Sequence, residues 1–194
     1  MVNPSDPLAL VADAIDRARA ASPHDPTAAS LATADARGRP SARIVLVKGV
    51  DARGLAFFTN RDSRKGRELA ENPWAALCLH WPALGEQARA EGRVSELSDA
   101  ESDAYFATRP RDSQLGAWAS RQSEPVASRA DLEDALAGFE RRFAGGPIPR
   151  PPRWGGYLLA PDAIELWRQG PGRLHFRRRF ERDGEGWRET ILQP

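Results

Sequence analysis

The chain has 194 residues, 28 basic against 27 acidic, a formal net charge of +1 and one cysteine. That length buries a core without staples, near-neutrality excludes a general field for nucleic acid or anionic membrane, and a lone Cys78 excludes an internal disulfide or a cysteine-rich zinc site. No apolar run approaches the roughly 20 residues of a membrane span, and the first residues lack the basic and apolar regions of a signal peptide, so a single cytoplasmic domain is expected.

Ser5 and Asp6 ahead of Pro7, followed by Leu8, Val11, Ile15 and Ala18 at helical spacing, predict an amphipathic first helix stopped by residues 22–26. Residues 29–34 and 41–50 are strand-like and joined by the turn Asp35-Ala36-Arg37-Gly38; a second turn at 51–54 leads into 55–58, giving a meander of three short strands. Asp62 or Ser63 caps a short helix through Ala70 that Asn72-Pro73 ends, and residues 74–81 and 87–97 follow as strands. Ser98-Asp99-Ala100-Glu101 is a capping box for one helix, and residues 128–131 open a longer one that ends near Gly145-Gly146. After a proline-rich connector at 147–152, four strand candidates close the chain at 155–159, 164–168, 174–181 and 187–192. Strands outnumber helices and βαβ alternation is scarce, so the expected fold is mainly β, an antiparallel barrel with peripheral helices. Residues 1–194 then form one domain, with 1–22 its N-terminal helix and 147–194 its C-terminal strands.

The basic residues are 26 arginines and only two lysines, Lys48 and Lys65. An ammonium kept in so arginine-rich a chain is a candidate for a contact that a planar guanidinium does not copy. Neither of the usual glycine-rich nucleotide loops is present, so side chains must hold any bound nucleotide. Strand alternation over 43–48 puts Arg43, Val45 and Val47 on one face and Ile44, Leu46 and Lys48 on the other, which reads equally as a core strand with snorkelling ends. The junction Thr59-Asn60-Arg61-Asp62-Ser63-Arg64-Lys65 combines hydroxyls, cations and a helix start, and its cations oppose the helix dipole unless an anion sits there, so it suits a phosphate. Tyr105, Arg109 and Ser113 recur at a spacing of four, the first two on one helix face, and all three donate to phosphate oxygens; a surface Tyr and Arg pair is the bland alternative. Gln122 and Ser123 are either ligands or loop residues bonded to their own backbone. Near the C-terminus stand Trp167, Arg173, His175 and Arg177; on a strand beginning at Leu174 the last three share a face, and they repel one another unless an anion covers them.

Taken together, RIVLVK, FFTNRDSRK, YFATRPRDSQLGAW followed by SRQS, and Trp167 with RLHFR strongly resemble the pyridoxine/pyridoxamine 5'-phosphate oxidases, in order and in spacing, over nearly the whole chain. The resemblance implies an FMN-binding split β-barrel, antiparallel and Greek-key-like, in a homodimer with flavin sites at the interface. By position it implies flavin contacts at Arg43, Ile44, Val45, Leu46, Val47, Lys48, Phe58, Thr59, Arg64, Lys65, Gln87, Gln122, Ser123, Trp167 and Arg177. Substrate contacts fall on Lys48, Tyr105, Arg109, Ser113, Arg173 and His175, the last two also catalytic. The implied reaction is oxidation of pyridoxine or pyridoxamine 5'-phosphate to pyridoxal 5'-phosphate by O2, with release of hydrogen peroxide and no metal. Three departures stand out: no basic arm precedes the first helix, Glu86 stands where an arginine is usual, and Phe176 stands where an aspartate is usual. A related flavin oxidase for another ring, such as a phenazine precursor, and a non-catalytic carrier of FMN or pyridoxal phosphate are the alternative readings.

Overall fold

The computed structural model describes residues 6–194, so the expected capping role of Ser5 lies outside the described residues. Asp6 does cap: its carboxylate accepts from the Leu8 N–H at 3.0 Å, opening α1 (Pro7–Ala21). That helix turns Leu8, Val11, Ala14, Ile15 and Ala18 into the core, and burying side chains of the Leu, Val and Ile kind contributes about 1.5–3 kcal/mol each.

Six strands close a barrel: β1 (Ala28–Ala34), β2 (Pro40–Asp51), β3 (Gly54–Asn60), β4 (Trp74–Trp81), β5 (Glu86–Glu96) and β6 (Trp154–Arg168). Every pairing is antiparallel. β4 returns to lie beside β1 after the β1-β2-β3 meander, which is the Greek-key step expected. Alternation along β2 buries Val45 and Val47 and leaves Ile44 and Leu46 outside, so the two faces separate as the strand period requires. Leu31, Leu55, Phe57, Leu77, Leu79, Leu159 and Ile164 fill the interior.

The expected strands at 155–159 and 164–168 are one strand, β6, interrupted only by a shift of register opposite Glu91 and Gly92. Pro161 lies in the gap between the two expected strands, where a proline would ordinarily interrupt a ladder. It is tolerated because it sits opposite Gly92, where a Cβ would stand 2.1 Å from the Ala160 carbonyl oxygen. On the near side of this bulge β6 pairs with β3 and closes the barrel; on the far side it pairs with β7 (Phe176–Asp183), which carries β8 (Gly186–Ile191). The barrel is thereby split, as expected.

Four more helices cover it: α2 (Arg64–Glu71), capped by Ser63; α3 (Asp99–Thr108), with the capping box formed; α4 (Arg111–Ala119); and α5 (Arg129–Arg142), capped by Ser128. Helix α4 was not expected, because Arg109-Pro110 read as a stop. It is a stop for α3, but Pro110 then serves as N-cap of the next helix. Phe106, Leu115, Ile148 and Trp154 form a second, smaller core beneath α3 and α4. No helix among the described residues is long and apolar enough to cross a membrane.

Candidate functional site

The Leu46–Lys48 stretch of β2, the end of β3 and the α3–α4 junction enclose a cavity of about 580 Å³. Its walls carry Lys48, Phe58, Thr59, Tyr105, Arg109, Ser113 and Gln122, which the sequence had placed in four separate clusters. Phe58, Tyr105 and Trp154 form a stack, with centroids 4.0 Å apart for Phe58 and Tyr105 and 5.5 Å for Phe58 and Trp154. Gly156 makes room for it, since a Cβ there would meet the Phe58 ring at 2.6 Å.

Tyr105 and Arg109 do not share a helix face as expected. Arg109 precedes a proline, which forces it to an extended ψ of 145° at the α3 C-cap, and Ser113 belongs to α4. The kink aims all three inward. The Arg109 guanidinium lies over Trp154 at 4.8 Å and over Phe106 at 5.5 Å, its Nη1 is buried with no protein acceptor, and burial pulls its pKa below the ordinary value. A half-buried cation with an unanswered donor beside a tyrosine and a serine hydroxyl has the donors that an anion would need. Burial also pushes the Tyr105 phenol up, so it stays a donor at neutral pH. Lys48 stands 3.9 Å from Asp25, a carboxylate that sequence reading missed; the Thr27 hydroxyl, above all, holds it below the usual carboxylate range.

Phe58, Thr59 and Gln122 are shared with a second cavity, lined also by Arg43, Ile44, Val45, Arg64, Lys65 and Ser123. Lys65 is 6 % exposed and donates to Ser63 Oγ, Thr59 Oγ1 and Gln122 Oε1 at 3.0–3.2 Å. Burial, aided by Arg43, pulls its pKa down to about 8. Leu46 lines the first cavity, while Val47 is turned into the barrel core and reaches neither by its side chain.

Gln87, Trp167 and Arg177 lie directly across from one another on β5, β6 and β7. With His175 they line a third cavity of about 490 Å³ that shares no residue with the other two. The expected common face of Arg173, His175 and Arg177 is not formed, because β7 begins at Phe176 and Arg173 ends a 3-10 turn at Pro171–Arg173. The anion that relieves Arg177 is Glu165, unrecognised in the sequence, whose two oxygens take Nε at 2.8 Å and Nη2 at 3.1 Å. Burial alone would push that carboxyl up; Arg177 and Arg89 outweigh it and hold Glu165 below its ordinary range. The His175 ring packs on Trp167 at 4.7 Å, and its Nδ1 accepts from the Gly170 N–H at 3.3 Å, which assigns the neutral ring's proton to Nε2. Phe176 is 52 % exposed beneath the Arg168 guanidinium. Glu86, the other departure, is bonded to Arg17 of α1 at 2.8 Å. Among the described residues, the only non-glycine positions with positive φ are Ser123 (73°) and Arg173 (64°), both site candidates.

Residues 15–140 match the family model described as pyridoxamine 5'-phosphate oxidase, and residues 154–194 match the pyridoxine 5'-phosphate oxidase C-terminal dimerisation region. The pyridoxine/pyridoxamine 5'-phosphate oxidase of Anaeromyxobacter dehalogenans is 66 % identical over 189 residues, covering 97 % of this chain and 96 % of that one. Among solved structures, PhzG from Burkholderia lata 383, in complex with tetrahydrophenazine-1-carboxylic acid, superposes with a TM-score of 0.93 at 38 % identity, covering 98 % of this chain and 94 % of that one. A pyridoxamine 5'-phosphate oxidase-related, FMN-binding protein from Nostoc punctiforme shares the fold, with a TM-score of 0.76 at 20 % identity and coverage of 95 % and 96 %.

Proposed function

The chain belongs to the pyridoxamine 5'-phosphate oxidase family, and on that premise we propose that it oxidises pyridoxine 5'-phosphate, pyridoxamine 5'-phosphate or both to pyridoxal 5'-phosphate, with FMN as cofactor, O2 as electron acceptor and H2O2 as product. The observation that carries this reading is a pair of anion-seeking surfaces meeting at Phe58, Thr59 and Gln122. One presents Arg43, Arg64 and Lys65; the other presents Lys48, Tyr105, Ser113 and Arg109 with its unanswered nitrogen. Two phosphorylated compounds side by side, a flavin and a pyridine, account for both.

The residues fit FMN: three cations and the Ser123 and Thr59 hydroxyls supply the donors a phosphate needs without a glycine-rich loop. When bound, FMN supplies a two-electron acceptor that passes its electrons to O2. Lys48, Tyr105, Arg109 and Ser113 anchor the substrate phosphate, and the Phe58, Tyr105 and Trp154 stack gives the ring an apolar wall. Arg173 and His175 orient the carbon that is oxidised and manage charge around it, with His175 donating through Nε2. For pyridoxine phosphate, two hydrogens leave the substrate and end in H2O2; for pyridoxamine phosphate, water also enters and ammonia leaves.

Gln87, Trp167, His175 and Arg177 line a cavity that shares no residue with the Arg109 cavity of the same protomer, so on this reading a complete site needs a second copy. A cytoplasmic homodimer, in which this cavity completes the Arg109 cavity of the partner, brings the halves together. The match of residues 154–194 to a dimerisation region supports it, as do the exposed apolar side chains Ile44 and Leu46 beside one half-site and Leu174, Phe176 and Ile191 beside the other.

A second reading, oxidation of another ring system, is favoured by Phe176 in place of an acidic residue and by the likeness to PhzG. The test is aerobic turnover of FMN-loaded protein on each phosphorylated substrate, with pyridoxal phosphate and H2O2 followed in one sample. Equal yields of both products establish the first reading. Flavin binding with turnover only on an unphosphorylated ring establishes the second, and flavin binding without turnover on any ring makes the protein a carrier.

A further inference from the structure

Beside the proposed flavin phosphate cradle, one buried carboxylate collects four donors. Glu68 on α2 is 5 % exposed. Its Oε1 accepts from Arg64 Nε at 2.8 Å, and its Oε2 accepts from Arg43 Nη2 at 3.2 Å and from the Ser41 and Thr33 hydroxyls. Burial alone would push this carboxyl up; the bonds from Ser41, Thr33, Arg64 and Arg43 reverse that and hold it at about 2. A carboxylate here is not what stability alone selects, since an apolar side chain of similar volume commonly replaces a buried ion pair without loss.

The two arginines that Glu68 holds both line the cavity that contains Lys65. Arg64 is otherwise a long, 62 % exposed side chain; anchoring its Nε leaves the two terminal nitrogens free to form the fork that grips a phosphate. Arg43 is fixed on both terminal nitrogens, by the Leu31 carbonyl and Thr33 on one and by Ser41 and Glu68 on the other, so it contributes a stationary charge. Arg43, Arg64 and Lys65 against Glu68 leave two positive charges, which a phosphate monoester dianion balances.

From this geometry we infer that Glu68 is a positioning residue for the phosphate end of FMN, aiming Arg64 and immobilising Arg43 so that the dianion meets a preformed, charge-matched cradle. The inference rests on the FMN reading above. It also makes a prediction of sign. If Glu68 were only a background charge, removing it would tighten binding of a dianion; if it positions the arginines, removing it weakens binding.

The experiment is titration of the apo-protein with FMN and, separately, with riboflavin, which lacks the phosphate, following flavin fluorescence in wild type, Glu68→Ala and Glu68→Gln, with a thermal melt of each. Glu68→Ala is expected to raise the FMN Kd about tenfold, the loss of roughly one charge-assisted hydrogen bond, while riboflavin affinity stays within about twofold. Glu68→Gln, whose amide oxygen still accepts, is expected to recover most of the loss and end about threefold weaker than wild type. An FMN Kd that is unchanged or tighter in Glu68→Ala overturns the inference, as does an equal loss for FMN and riboflavin. If Glu68→Ala does not fold, Glu68→Gln decides by the same comparison: FMN weakened alone supports the role, and any other result overturns it. Wild type that binds FMN no better than riboflavin instead overturns the flavin-phosphate reading on which the inference stands.

Discussion

Replacing Arg109 by methionine separates what this residue does for a ligand from what it does for the fold. In the ligand-free protein its buried Nη1 lacks an acceptor, a penalty of about 1–3 kcal/mol. Against that stand its positions over Trp154 and Phe106, each worth about 0.5–1 kcal/mol. Methionine keeps an unbranched stem and offers sulfur–aromatic contacts of about 0.3–1.5 kcal/mol. The opposing effects leave the variant at worst about 1 kcal/mol less stable than wild type and otherwise more stable, so its Tm falls by no more than about 2–4 °C for a chain of this size. Ligand binding is different, because the variant loses a charge-assisted contact of about 1.5–3 kcal/mol. KM for pyridoxine 5'-phosphate is therefore expected to rise roughly 10- to 150-fold, with no comparable loss in the melt. Steady-state kinetics and a thermal melt on the same preparation check both halves. A fall in Tm of about 8 °C or more with KM unchanged would refute the reasoning and make Arg109 a structural residue.

Arg173→Ala is expected to lose far more turnover than flavin affinity; equal loss of both in a parallel kinetic and FMN titration would make Arg173 a cofactor residue. Lys65 predicts a pH dependence. Its folded-state pKa of about 8 lies below that of an unfolded lysine, about 10.4, so the unfolded chain holds more protons between those values and the stability of the apo-protein rises from about pH 8 to about pH 10.4. FMN affinity should fall over the same range as the ammonium is lost, and neither slope should survive in Lys65→Met when denaturation and titration are repeated across pH. Glu165→Gln should free the Arg177 fork and weaken FMN binding about tenfold, roughly one charge-assisted bond, as read by flavin fluorescence; unchanged affinity would confine Glu165 to the fold.

The barrel was legible because its local signals agree: alternation from Arg43 to Lys48, the Ser98 capping box and the turn at 35–38 each specify the structure that forms. What escaped were features set by tertiary neighbours. Pro161 reads as a break until Gly92 is known to lie opposite, and Arg109-Pro110 reads as a helix end without showing that a second helix starts there. The same holds for the site. The phosphate-seeking residues could be picked out by type, yet the carboxylates that orient them could not. Glu165 meets Arg177 only through the pairing of β6 with β7, and Asp25 meets Lys48 only across the α1–β1 loop. Glu68 escaped as well: its i,i+4 relation to Arg64 lies in the helix pattern, but its bonds to Arg43, Ser41 and Thr33 come only from the packing of α2 on β1 and β2.

The continuity of β6 constrains how this chain can vary. One strand carries Trp154, under Arg109, near its start and Glu165 and Trp167 near its end, a contour of roughly 40 Å at a rise of about 3.3 Å per residue. In the proposed dimer those ends serve opposite active centres, so β6 is a shared ruler between them. Gaining or losing one residue anywhere along it would reverse the inward and outward faces beyond that point, turning Ile164 outward and detaching Glu165 from Arg177. Length changes in homologous chains should therefore accumulate in the connector at 147–152 or the turn at 169–175, and hardly ever between Trp154 and Arg168.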